Sequence, residues 1–259
     1  MRVEELLARI DEAAPFSLAE GWDNVGLMVG DPQQEVRRLA VALDPLPEAI
    51  EEASRLGCQA LLVHHPLFFT PLRSLDLSRD PGRAVAAAVR CGVSVLAAHT
   101  NWDCVRGGVS WTLAELLGLK EIESLSPGVD DAGLGAVGLL NDRIALGDWL
   151  ASLKERWKLT RIDCYAPPNC SILKIALCGG SGGELWPRAL ARGADVYITA
   201  DVKYHVLLDA TRAGLPMVLV DHAEMESASL EALICRLKRT GELDVVLLDV
   251  RGLGTPLRF

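Results

Sequence analysis

Five histidines, at positions 64, 65, 99, 205 and 222, each stand beside other polar residues able to hold a metal ion. His64-His65-Pro66 follows the apolar run Ala60–Val63. His99 lies four residues before Asp103 and ends the run Val93–Ala98, while His222 lies four before Glu226 and follows Met217–Val220. If a helix begins near His222, that spacing puts His222 and Glu226 on one face. Glu224 then points elsewhere and suits the positive helix N-terminus. Imidazole and carboxylate without thiolate fit Zn, Fe, Mn or Ni, in a site that leaves positions open for water and so favours catalysis over structural stapling.

Each motif alone has a plainer reading. His64 and His65 would be surface or core histidines, Asp103 a helix-capping aspartate, and Glu224 with Glu226 an acidic first turn. Adjacent strand residues also point to opposite faces, which makes two neighbouring ligands on one ion awkward. At a strand end, however, the pair can face one pocket and reach two different ions. Three strand ends carrying ligands together make a two-metal site the stronger reading. His99 is then either a further ligand or a partner that orients one.

Two other segments carry polar chemistry. Thr199-Ala200-Asp201-Val202-Lys203-Tyr204-His205 gathers Asp201, Lys203, Tyr204 and His205 at another strand end. Substrate contact, support behind the ligands and proton transfer compete there with a buried structural network. Gly179-Gly180-Ser181-Gly182-Gly183 suits either a phosphate cradle or a tight strand-to-helix turn, and it lacks the spacing of a nucleotide-binding loop.

The elements that would position these residues alternate. Strands are expected at 38–43, 60–63, 93–97, 135–140, 161–165, 173–178, 196–199, 217–220 and 244–250. Helices are expected at 47–56, 81–90, 105–117, from the glycine loop to 192, and at 224–238. Val3, Leu6, Leu7 and Ile10 mark an amphipathic N-terminal helix, and Leu146, Trp149, Leu150, Leu153 and Trp157 a core stripe. Strand–helix alternation implies a largely parallel α/β architecture, with ligand sites at the carboxyl ends of strands. Ser124–Gly135, rich in Gly, Ser, Pro and Asp, is the expected boundary between domains.

The chain has 259 residues, enough for one large or two small domains. With 26 basic and 35 acidic residues its formal charge is −9, which argues against binding a nucleic-acid backbone. No run of 18 apolar residues suggests a membrane span, and the acidic start resembles neither a signal nor a transit peptide. Seven scattered cysteines read mostly as small buried residues of a reducing cytoplasm, with Cys104 the one to watch for oxidation.

Together these residues resemble the Nif-three-like family, also known as GTP cyclohydrolase I type 2 homologs or dinuclear metal centre hexameric proteins. The matching stretches are Trp22-Asp23-Asn24-Val25-Gly26-Leu27 with Val29-Gly30, His64-His65-Pro66, His99–Asp103, Gly179–Gly183, Ala194–Thr199 with Asp201 and Lys203-Tyr204-His205, and the segment around His222 and Glu226. They run in family order over nearly the whole chain. Asp221, Met225 and Ala200 stand where the family usually has Gly, Thr and Gly.

The resemblance implies two α/β domains, residues 1–125 with 220–259 and residues 126–219, with the metal site in the cleft between them. The first domain would carry most of the ligands. It also implies a homohexamer and two divalent ions per chain, held by His64, His65, Asp103, His222 and Glu226. Glu226 would bridge, with His64 and His222 on one ion and His65 and Asp103 on the other. The implied activity is a metal-dependent hydrolase acting on GTP, with His99 or His205 moving the proton and Asp23 and Asn24 either binding substrate or supporting the ligands. Hydrolysis of a phosphoester or another small molecule, and a non-enzymatic chaperone, storage or regulatory role, are the alternatives.

Overall fold

Ala60–Val63 is a strand buried along its whole length, as four apolar residues flanked by polar ones require. It belongs to a computed structural model that describes residues 1–128, 132–239 and 242–250. Packing divides the chain into two units, one of residues up to Trp102 with those from Leu230 onward, the other Asp103–Ser229.

In the first unit, β1 (Gly26–Val29), β2 (Arg38–Ala42), β3 (Ala60–Val63), β4 (Ser94–Ala97) and the last strand, Asp244–Leu247, form one sheet in the order β1-β4-β3-β2-last. All neighbours are parallel except β1, which runs antiparallel on β4 at the edge. The register aligns Ala42 with Val63 and Val63 with Ala97, so β2, β3 and β4 end together. That alignment brings Leu43-Asp44, His64-His65 and Ala98-His99 to one edge.

Helices cover the sheet. Val3–Ala13 buries Val3, Leu6, Ile10 and Ala13 at helical spacing. Pro47–Arg55 starts on a proline that needs no amide partner, and Gly82–Cys91 ends at left-handed Gly92. The core between them holds Ile50, Leu61, Val63, Val95 and their small neighbours, and each large aliphatic side chain buried there contributes about 1.5–3 kcal/mol.

In the second unit, β5 (Lys120–Pro127), β6 (Gly133–Ala145), β7 (Ile162–Tyr165), β8 (Ser171–Leu177), β9 (Val196–Thr199) and β10 (Met217–Val220) form a mixed sheet in the order β5-β6-β8-β9-β10-β7. β8, β9 and β10 are mutually parallel, and the other pairings are antiparallel. Leu146, Trp149, Leu153 and Trp157 are buried, so this helical stripe is core, as its spacing indicated.

Several elements differ from the sequence reading. β5 occupies part of the expected boundary at 124–135, and its pairing with β6 places it in the second unit. By packing, residues 103–125 and 220–229 of the expected first domain group with the second unit. The expected helix at 105–117 covers only Val109–Leu116, starting after Gly107-Gly108, and a second helix, Thr100–Cys104, precedes its expected start. That at 224–238 is also two, His222–Ser227 and Leu230–Lys238, because Ser229 turns back its amide and hydroxyl onto the Glu226 carbonyl. Among the cysteines, Cys58, Cys104 and Cys178 are buried, while Cys164 and Cys235 are exposed. Burial shields Cys104 from the oxidation its sequence position suggested. Among the described residues, no helix is long and apolar enough to cross a membrane.

Candidate metal centre

The first unit contributes a triad of imidazoles. Once β3 ends at Val63 the alternation of the strand no longer applies, and the His64 and His65 rings lie with centroids 5.2 Å apart. His99, just beyond β4, is 5.1 Å from His64 and 5.8 Å from His65. One ring nitrogen from each of the three lies within 4.8 Å of the others. The strand ends fix these positions: the His65 amide donates to the Leu43 carbonyl at 2.9 Å, and the Ala98 amide to the Val63 carbonyl at 3.0 Å.

The second unit contributes carboxylates and one more imidazole. His222 and Glu226 share the face of a helix that begins where expected, with Nε2 3.0 Å from Oε2. A carboxylate oxygen of Asp103 lies within 4.8 Å of one of Glu226. Gly180 closes in behind them. Its φ is +64°, and a Cβ placed there would fall 2.3 Å from Glu226 Oε1 and 3.3 Å from His222 Nε2. The glycine loop thus seats His222 and Glu226. Its amides are partly committed, Gly179 to Ser110 Oγ at 3.1 Å and Gly182 to Thr199 Oγ1 at 2.9 Å, which favours the tight turn over a phosphate cradle.

Every one of these four histidines has its Nδ1 paired to an oxygen. His64 pairs with the Ala98 carbonyl at 3.0 Å, His65 with Asp44 at 2.7 Å, His99 with Asp23 at 2.9 Å and His222 with Asp201 at 2.6 Å. A neutral imidazole that donates through Nδ1 keeps its Nε2 lone pair for a metal. Asp23 is itself held by Thr100, whose amide donates at 3.0 Å and whose hydroxyl also donates. Burial opposes its ionisation, yet hydrogen bonds from His99 and Thr100 hold its carboxyl well below the usual carboxylate range. Burial likewise disfavours charge on His222, but Glu226 and Asp201 outweigh it and raise its pKa to about 9.

Asp44 is the residue sequence reasoning missed. It ends β2 in the same way that the histidines end β3 and β4, which is the signal that marks it. Glu224 does not serve its helix terminus: it is buried and accepts the Thr160 amide at 2.7 Å, while Asp221 caps the helix through the Glu224 amide. Asn24 ties its side chain to the Phe68 carbonyl at 2.8 Å. Lys203, Tyr204 and His205 are exposed at the start of helix Tyr204–Arg212, and the Tyr204 and His205 rings stack edge to face.

Nitrogen and oxygen donors, with a glycine where a side chain would intrude, fit divalent metal. The Duf34/NIF3 (NGG1p interacting factor 3) family model matches residues 1–252. The chain belongs to this family. A GTP cyclohydrolase 1 type 2 homolog of Clostridium perfringens is 32% identical over 261 residues, spanning 100% of both chains. One of Lactococcus lactis is 36% identical over 230 residues, 86% of this chain and 88% of that one. The crystal structure of a hypothetical protein of Staphylococcus aureus superposes with a TM-score of 0.91 at 27% identity, covering 100% of this chain and 99% of that chain. The Duf34/NIF3 fold is therefore the two-unit α/β arrangement described above.

Proposed function

We propose that this Duf34/NIF3 protein is a dinuclear metal protein and a metal-dependent hydrolase, with His64, His65, Asp103, His222 and Glu226 as ligands. The observation that carries this reading is the pairing of Nδ1 with an oxygen in His64, His65, His99 and His222, which makes Nε2 the ring nitrogen that each would offer a metal. Two divalent ions would supply Lewis acidity toward a developing oxyanion and lower the pKa of bound water.

The chain's own residues do the rest. Asp44, Asp201 and the Ala98 carbonyl fix three ligand rings, and Gly180 leaves space for Glu226. His99 is the better placed of the two proton-transfer candidates, because its ring adjoins His64 and His65 while His205 is an exposed helix-start residue. GTP is the first substrate to test, on the strength of the names of the relatives from C. perfringens and L. lactis. We also propose a cytoplasmic homohexamer, as the sequence resemblance implies, which a solution mass measurement tests.

Purified protein reconstituted with Zn²⁺, Fe²⁺, Mn²⁺ or Ni²⁺ should turn over GTP or a member of a phosphoester panel. The double variant His65→Ala with Glu226→Ala should lose that turnover. Equal rates in both proteins would rule out catalysis at these residues and leave a metal-binding protein without hydrolase activity.

A further inference from the structure

Two large aromatic residues stand exposed beside the imidazole triad. Trp22 is 60% exposed and Phe69 47%. Their ring centroids are 5.9 Å apart with the planes tilted by 45°, and each also meets the His99 ring edge-on, at 6.1 Å and 5.7 Å. A single exposed apolar side chain is ordinary, but two touching aromatics next to a ligand cluster are not.

Loose packing does not explain their exposure. Asp23, the next residue after Trp22, is bound to His99 Nδ1 and to the amide and hydroxyl of Thr100. Its own amide donates to the Glu20 carbonyl at 2.9 Å, and the Glu20 amide donates to Thr100 Oγ1 at 2.9 Å. Asn24 clamps the carbonyl of Phe68, directly before Phe69, at 2.8 Å. The backbone on both sides is tied down, and the two rings are left facing solvent.

We propose that Trp22, with Phe69 tilted against it, offers a stacking platform to a flat heteroaromatic ring of the nucleobase class, presented beside His99. The placement of that ring as part of a substrate rests on the metal-dependent hydrolase reading; the stacking itself does not. Aromatic side chains recognise bases through their faces and tolerate any base, so the platform gives affinity with little discrimination between purines and pyrimidines.

Calorimetric titration with GMP, AMP and CMP, with ribose 5-phosphate as the control lacking a base, tests this on the full chain. Trp22→Ala should weaken all three nucleotides by roughly 5- to 150-fold and leave ribose 5-phosphate unchanged, and Trp22→Phe should recover most of the loss. Unchanged nucleotide affinity in Trp22→Ala, or no nucleotide binding by the unmodified protein, overturns the proposal. So does a fall in solution mass of Trp22→Ala, which would show that a second copy covers the pair. Elemental analysis of the same samples separates the two readings. Metal present with no effect of Trp22→Ala sinks the platform alone, whereas stacking on protein that takes up no Zn²⁺ sinks the metal reading alone.

Discussion

Replacing Gly180 with alanine perturbs the site at one defined point. The added Cβ would sit 2.3 Å from Glu226 Oε1, closer than any non-bonded contact allows, and 3.3 Å from His222 Nε2. Glu226 is 3% exposed and cannot withdraw without losing its 3.0 Å pairing with His222. The left-handed backbone at φ +64° adds about 1–2 kcal/mol for any residue with a Cβ. Gly193 isolates that second cost, since its φ is +68° and nothing lies within 4 Å of its Cβ position. Gly193→Ala should therefore lower Tm by about 2–8 °C and leave metal affinity alone. Gly180→Ala should lower Tm further and weaken Zn²⁺ binding about 10- to 100-fold, as loss of support behind a ligand typically does. Zn²⁺ titration against a competing chelator, with thermal melts of both variants, reads the two effects separately. Matching Tm shifts with unchanged Zn²⁺ affinity in Gly180→Ala would refute the seating of Glu226 by this glycine.

Three further outcomes follow from the same geometry. Asp44→Asn and Asp201→Asn should each weaken Zn²⁺ binding about 10- to 100-fold while circular dichroism stays native, because each carboxylate fixes one imidazole; affinities equal to the unmodified protein would deny them that role. In metal-free protein the raised pKa of His222 stabilises the fold fully below the unfolded value of 6.5, and that contribution is lost as pH rises through about 9. Up to about 3 kcal/mol of stability should disappear across this window in urea titrations, and His222→Gln should show no such decline; the same slope in the variant would assign it elsewhere. Burial, with the nearby Asp103 charge, pushes the Cys178 thiol up to about 12, so iodoacetamide at pH 8 should label exposed Cys235 and spare Cys178 until denaturant is added, as peptide mass mapping would reveal.

The parallel strands were legible because burial on both faces leaves unbroken apolar runs, as in Ala60–Val63 and Val196–Thr199. Edge strands hide from that reading. β5 surrounds Ile122 with Lys120, Glu121, Glu123 and Ser124, its register shifts between Lys120 and Glu123, and its one buried residue is Leu125, so its polar sequence resembles a loop. β1 is four residues long and opens on glycine, too short for a pattern to show. Helix Tyr204–Arg212 was hidden by its start, where Lys203, Tyr204 and His205 read as a polar strand end. Within the site, His222 and Glu226 were legible from their spacing of four, which the helix converts into contact. The pairing of His65 with Asp44 was not, because 21 residues separate them and only the sheet register joins them.

In the proposed function these imidazoles and carboxylates hold metal. Elemental analysis of protein purified without chelator tests it most directly, paired with the double variant His65→Ala, Glu226→Ala. Close to two divalent ions per chain are expected, falling sharply in the variant; a metal-free native protein that takes up no more Zn²⁺ than the variant would overturn the metal reading.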